Sequence, residues 1–219
     1  MYTLFNPENK FWIFMGKITD VACMSLLWLI TSLPVFTIGA ATAAFYSFTM
    51  DAVQDNEGGV WQSYFCAFRK HFKKATVIWL LQLTLSAALS VNLFAAWNFY
   101  LTKGILGLGV FSMALFGILV LICTAMYLYP VMVTYDFSVK KVIADSCVMA
   151  IRNPHVTISC MVLFVLAGVG IYYISGLFFF WIGLGIFFSS YFVLGVFMKY
   201  AGVTMEKKKK KKEKVDPYI

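Results

Sequence analysis

Polar side chains inside otherwise apolar stretches are the first candidates for chemistry in this chain. Gln82, Ser86 and Ser90 recur at intervals of four residues, which places one amide and two hydroxyl groups on a single face of a helix. Groups of this kind form hydrogen bonds between helices in a membrane, and that is the interpretation we favour. A path for a polar solute is the alternative.

Residues typical of catalysis are sparse. The two histidines, His71 and His155, each lie near the end of a predicted surface helix, and the five cysteines form no CxxC pair. The chain has no phosphate-binding loop, no HExxH motif and no nucleophile elbow. No charged residue lies deep in an apolar stretch, where ion-coupled transporters carry one. We therefore predict that the protein is not an enzyme, with no catalytic residue, no metal site and no cofactor.

The composition is that of a membrane protein. Of the 219 residues, 61% are hydrophobic and only 13% are charged, about half the charged fraction of a soluble domain. Uncharged runs longer than about 18 apolar residues are typical of membrane-spanning helices. Such uncharged stretches cover residues 21–50, 75–102, 104–135 and 156–198.

These patterns predict an all-α, polytopic helical membrane protein. We expect about six transmembrane helices and two amphipathic helices on the cytoplasmic side, forming one membrane domain over residues 1–205. A lysine-rich cytoplasmic tail follows over residues 206–219. The approximate spans are residues 18–33, 38–53, 76–98, 106–133, 156–174 and 177–198, and the amphipathic helices are residues 60–74 and 138–152.

A helical hairpin is predicted around Pro34. Proline cannot continue a helix, and Thr37 is placed to cap the helix that follows. Gly39, Ala43 and Ser47 then recur every four residues, a small-residue face that lets two membrane helices approach closely. A short re-entrant segment that does not cross the membrane is the alternative for residues 38–53.

Basic residues cluster on the two predicted amphipathic helices. Their side chains are expected to face anionic lipid headgroups at the membrane surface, and the lysine run of the tail can do the same or can simply fix orientation. The basic residues of the two helices are Arg69, Lys70, Lys73, Lys74, Lys140, Lys141 and Arg152.

The distribution of positive charge predicts the orientation. With six spans and both termini cytoplasmic, only Lys103 of the 18 Lys and Arg residues lies on an outer loop, as the positive-inside rule requires. The turn at Pro34 is then on the outer side. If residues 38–53 do not cross, the N-terminus is outside, which moves only Lys10 and Lys17.

Three segments carry a family resemblance. LFNPENKF, LLWLITSLPVFTIGAATAAFY and SYFCAFRKHFKKATVIWLL resemble the YesL-type family of bacterial integral membrane proteins, which carry a domain of unknown function. The resemblance implies a multi-span inner-membrane protein, often encoded beside carbohydrate ABC-transporter components. It implies no catalytic residues.

From these observations we expect a non-catalytic component of the cell membrane, accessory to carbohydrate uptake or to its sensing. Its partners would be the lipid bilayer and the subunits of an ABC transporter or a sensor, reached through the small-residue face and the surface helices, and not nucleic acid. The alternative is a small transporter that works alone or as a homo-oligomer.

Overall fold

The computed structural model describes residues 10–53, 60–135 and 137–215. For residues 10–14, 53, 102–103, 106, 175 and 200–215 it describes the backbone alone. Within these ranges the protein consists of seven α-helices and two short 3-10 turns, without a strand. The turns are Val35–Thr37 and Ser175–Leu177. The helices are α1 (Lys10–Thr31), α2 (Ile38–Val53), α3 (Val60–Lys103), α4 (Ile105–Thr134), α5 (Val139–Arg152), α6 (Pro154–Tyr173) and α7 (Phe178–Val215).

Four of the described helices are long and apolar enough to cross a membrane. Their candidate segments are Val60–Leu101, Gly107–Thr134, Pro154–Tyr173 and Phe178–Lys199. The predicted fold class, an all-α polytopic helical protein, is confirmed. The helices α1 and α2 are not among the four, so the count of six spans stays a prediction.

Helix α2 is the centre of the bundle and is short. Its 16 residues extend about 24 Å, less than the roughly 30 Å of a hydrocarbon core. It packs against α1, α3, α4 and α7, and Ala40, Ala43, Ala44 and Phe45 are completely buried. A helix enclosed by protein in this way does not need the length that contact with lipid demands.

The predicted amphipathic helix 60–74 and the predicted span 76–98 are one continuous helix, α3, of 44 residues. We placed a boundary where the basic cluster gives way to apolar residues. The structure has none there, because a change in polarity does not interrupt backbone hydrogen bonding and the segment contains no glycine or proline.

The turn between α1 and α2 is held by Thr37, in a way that differs from the prediction. The hydroxyl of Thr37 donates to the carbonyl oxygens of Thr31 and Pro34, each at 2.6 Å. It therefore satisfies one carbonyl group at the end of α1 and one in the turn, and it does not cap the amide groups of α2. The indole N–H of Trp28 also donates to the hydroxyl of Thr42, 3.1 Å away, which joins the two helices of the hairpin.

The same turn lies against the first part of α3. The hydroxyls of Tyr64 and Thr31 are 2.6 Å apart, and the indole N–H of Trp79 donates to the carbonyl of Val35 at 2.8 Å. The basic residues 69–74 lie between these two contacts along α3. Lys70, within the basic segment, also lies close enough to Asp51 for an electrostatic interaction, and Asp51 is at the end of α2 opposite the turn. These contacts therefore do not place the turn and the basic segment on one side of a membrane.

The assignment of the Pro34 turn to the outer side and of the basic helix to the inner side therefore stays a prediction. At about 24 Å, α2 is shorter than a hydrocarbon core of roughly 30 Å, which is consistent with the alternative in which residues 38–53 form a re-entrant segment.

The second predicted surface helix, 138–152, is α5, and one of its faces packs against the rest of the protein. Val142, Ser146 and Ala150 are buried within the protein, whereas Val148 and Ile151 are exposed. Helix α5 is therefore docked on the bundle by the face that carries Val142, Ser146 and Ala150.

Candidate functional site: an apolar cavity between α3, α4 and α5

Helices α3 and α4 form an antiparallel pair. The rings of Trp97 and Phe111 lie 5.6 Å apart, and farther along the pair a Cβ atom on Gly117 would lie 3.3 Å from Leu89. Gly104, with φ 59°, makes the connection, a left-handed backbone conformation that favours glycine. Because Leu89 on α3 lies beside Gly117 on α4 and the helices are antiparallel, Ile78, eleven residues before Leu89, lies opposite Leu128, eleven residues after Gly117.

Where α5 crosses this pair, the three helices leave a cavity of about 200 Å³. Its walls are mainly aliphatic, and its few polar groups are Gln82, Thr124 and Cys147. The hydroxyl of Thr124 is used within its own helix, since it donates to the carbonyl of Val120 at 2.7 Å. The lining residues are Ile78, Leu81, Gln82, Leu85, Leu89, Gly117, Val120, Leu121, Thr124, Leu128, Ile143 and Cys147.

Gln82 is the unusual residue of this cavity. Its side-chain oxygen Oε1 is buried and accepts no hydrogen bond from the described residues. An acceptor left unsatisfied away from water costs about 1–3 kcal/mol. The residue therefore weakens the fold unless a donor from outside the described chain reaches it.

The predicted polar row Gln82, Ser86 and Ser90 does not form a continuous polar lining. The hydroxyl of Ser86 donates to the carbonyl of Leu83 at 2.9 Å, and that of Ser90 donates to the carbonyl of Ser86 at 2.8 Å. Only Gln82 of the three lines the cavity. Neither the interhelical hydrogen bonds that we favoured nor an assembled solute path is seen at these two serines.

Replacing Gln82 with leucine is expected to leave the thermal stability in detergent unchanged or to raise it, because an unsatisfied acceptor is replaced by an apolar side chain of similar size. Thermal unfolding followed by circular dichroism measures this. The matched variant Gln82→Ala also removes the amide but enlarges the cavity, and is expected to be less stable than Gln82→Leu. A clear loss of stability in Gln82→Leu would show that its amide has a partner.

The small-residue face of α2 meets α3 at Gly39. A Cβ atom on Gly39 would lie 2.5 Å from Cβ of Trp79 and 2.7 Å from the carbonyl oxygen of Ala75. Ala43 is buried and Ser47 is half-buried. This face is thus used inside the chain, and Pro34, which begins the turn, is exposed.

The sequence reasoning missed a buried set of hydroxyl groups between α2 and α7. The hydroxyl of Tyr46 lies 3.0 Å from that of Ser189, and the hydroxyl of Thr49 lies 2.7 Å from that of Ser190. All four residues are buried. The adjacent serines inside an apolar stretch were the available signal.

The basic residues are placed mostly at the surface. Arg69, Lys70, Lys73, Lys140, Lys141 and Arg152 are exposed and Lys74 is half-buried. The ammonium group of Lys141 lies 3.6 Å from the centre of the Phe137 ring, a cation–π contact that fixes it at the start of α5. His71, which we expected at the interface, is buried on the opposite face of α3, whereas His155 is exposed.

The connection between α4 and α5 is ordered by aromatic rings. Tyr135 stacks on Phe137 with 5.4 Å between ring centres and meets Phe197 of α7 edge-on at 5.5 Å. Burial, and to a smaller degree the negative charge of Asp145, raise the pKa of Tyr135 above its ordinary value. Its phenol therefore stays protonated at neutral pH and acts as a packing group.

Fold and site together define a polytopic helical membrane protein in which two hydroxyl pairs join α2 to α7 and an apolar cavity lies between α3, α4 and α5. Among the described residues, no group of three or more His, Cys, Asp or Glu side chains is placed to hold a metal ion.

Residues 21–93, about a third of the chain, match the family model described as "Protein of unknown function, DUF624". This match covers the hairpin, the basic segment and most of α3, and it is consistent with the YesL-type resemblance, although the match does not carry that name. The comparisons with curated proteins and with solved structures found no significant match.

Proposed function

We propose that this protein is a non-catalytic component of the bacterial cell membrane that acts by contact with other membrane proteins in carbohydrate uptake or its sensing. The carbohydrate part rests on the family resemblance alone. The observation that carries the rest is the pairing of Tyr46 with Ser189 and of Thr49 with Ser190. These pairs use four buried hydroxyl groups to hold α2 to α7, and we take this fixed contact to favour a static component over a permease.

The surface available for contact with a partner protein is smaller than the sequence suggested, because it does not include the part of α2 around Gly39. The small-residue face of α2 packs against α3, as the close approach of Gly39 to Ala75 and Trp79 shows, and it is not open to a partner. The exposed face of α5 is available: Ile151 is 74% exposed and Val148 is 47% exposed. This helix lies outside the four candidate spans, so we assign the partner contact to it.

We place the basic segments of α3 and α5 and the C-terminus on the cytoplasmic side, following the positive-inside rule. The position of the N-terminus follows from α2: a cytoplasmic N-terminus requires α2 to cross the membrane, and a re-entrant α2 puts it outside.

Recovery of partners from native membranes in mild detergent tests the proposal. The unaltered protein is expected to bring down subunits of a transporter or a sensor, and Ile151→Ser is expected to reduce their recovery by several-fold, because truncation of an exposed apolar anchor removes its contact. The matched control is Ile105→Ser at the start of α4, where Ile105 is 84% exposed.

Full recovery with Ile151→Ser would overturn the assignment to α5. Recovery of no transporter or sensor subunit, under conditions that keep known complexes intact, would overturn the proposed function. The second candidate, a stand-alone transporter, is favoured only by the unsatisfied Gln82 beside the cavity. Uptake of labelled sugars into proteoliposomes by the purified protein would establish it.

A further inference from the structure

The cavity between α3, α4 and α5 has a charged end. Ile78 lies one helical turn after Lys74 on α3, and Ile143 lies one turn after Lys140 on α5. Both isoleucines line the cavity. The two lysines are therefore on the cavity-facing side of their helices, just beyond its wall.

Both lysines lie at the same end of the cavity. Because α3 and α4 are antiparallel, with Leu89 beside Gly117, the chain before Ile78 points toward the end of α4 at Thr134. Helix α5 starts five residues after that end, so Lys140 is also there. This is where the candidate span Gly107–Thr134 stops, and the polar headgroups of a bilayer lie just beyond the end of a span.

The cavity itself suits a hydrocarbon chain. Most of its lining side chains are aliphatic, and at Gly117 the α4 backbone comes close to the Leu89 side chain, so this part of the wall is also apolar. An apolar cavity that ends in cations at a membrane surface matches one class of molecule, with an apolar chain and an anionic headgroup.

We propose that an anionic phospholipid binds here, with one acyl chain in the cavity and its phosphate between Lys74 and Lys140. The site does not depend on the proposed carbohydrate function. It differs from general attraction of a basic surface to the membrane, because it binds one lipid at a defined place and shields the cavity from solutes.

The rate at which Cys147 is alkylated measures whether a lipid occupies the cavity. Its side chain lines the cavity, and its thiol is free and half-exposed. The purified protein is placed in nanodiscs of phosphatidylcholine containing increasing fractions of phosphatidylglycerol with the same acyl chains. Alkylation by N-ethylmaleimide is then followed for each cysteine by peptide mass spectrometry. Cys23 and Cys66, both exposed and remote from the cavity, are internal controls.

Alkylation of Cys147 is expected to slow as phosphatidylglycerol increases, while Cys23 and Cys66 react at constant rates. Each lysine near the headgroup contributes about fivefold to binding of an anionic lipid. The variant Lys74→Gln/Lys140→Gln is therefore expected to lose the preference for phosphatidylglycerol. The control Arg152→Gln/Lys199→Gln removes two exposed charges elsewhere and is expected to keep it.

Equal protection of Cys147 in phosphatidylcholine and phosphatidylglycerol would overturn the proposal, as would equal behaviour of the two double variants. Protection seen only in an oligomeric fraction, without added lipid, would mean that a helix of a second copy fills the cavity, and would also overturn it.

Discussion

Gly39→Leu is expected to be the most damaging single substitution in the hairpin, lowering the free energy of unfolding by about 3 kcal/mol or more. A Cβ atom at this position would lie 2.7 Å from the carbonyl oxygen of Ala75. Backbone cannot move aside as a flexible side chain can, so α2 and α3 must separate. Thermal unfolding of the purified protein in detergent, with its yield from membranes, measures the effect.

Gly109→Leu is the matched control. Gly109 also lies within a helix, α4, but a Cβ atom there would meet no atom of the described chain within 4 Å. The same change of residue is expected to be tolerated and to favour the helix slightly, because glycine is a poor helix former. If Gly39→Leu melts at the same temperature as Gly109→Leu, the close contact between α2 and α3 is not real.

Gly183→Ala is expected to have the second large effect, a loss of about 1–3 kcal/mol for a single added methyl group. A Cβ atom on Gly183 would overlap the hydroxyl oxygen of Ser25 and lie 3.2 Å from the ring of Phe45. The site is therefore the point at which α7 approaches both α1 and α2. The measurement is again thermal unfolding in detergent.

A second substitution makes this prediction specific. Ser25→Ala removes the oxygen that the new methyl group would strike, and its own cost is small because the hydroxyl of Ser25 only donates to the carbonyl of Val21 in the same helix. The double variant Gly183→Ala/Ser25→Ala is expected to be more stable than Gly183→Ala alone. Additive effects of the two changes would contradict the contact, since only neighbouring residues couple in such a cycle.

The boundaries set by single residues were predictable from the sequence. The second helix was predicted at residues 38–53 and is Ile38–Val53, and the amphipathic helix predicted at residues 138–152 is Val139–Arg152, which ends just before Pro154. Proline and glycine act on the backbone locally, so their effect is visible in the sequence. The helix boundary predicted near residue 75 is not present, because α3 is continuous there. That prediction relied on a change in polarity, and polarity determines what a helix contacts but not whether the helix continues.

Tertiary neighbours were not predictable. The side chains of His71 and Tyr64 are buried on the part of α3 that we placed at the membrane surface, because the hairpin folds against it. A helix in this chain has apolar residues on most of its faces, so periodicity does not tell contact with lipid from contact with protein. The pairing of Tyr46 with Ser189, 143 residues apart, is likewise set by the packing of α2 on α7.

The unbroken course of α3 has a mechanical consequence. At 44 residues it is about 66 Å long, with Tyr64 and Trp79 fixed against the hairpin turn and the segment up to Tyr100 extending about 30 Å beyond. Because the basic segment lies between these two contacts and the rest of α3 packs along α4, α3 has no free end that could tilt about the turn. A displacement of the basic segment, produced by a partner or by lipid, would instead move the hairpin turn and α4 together with it.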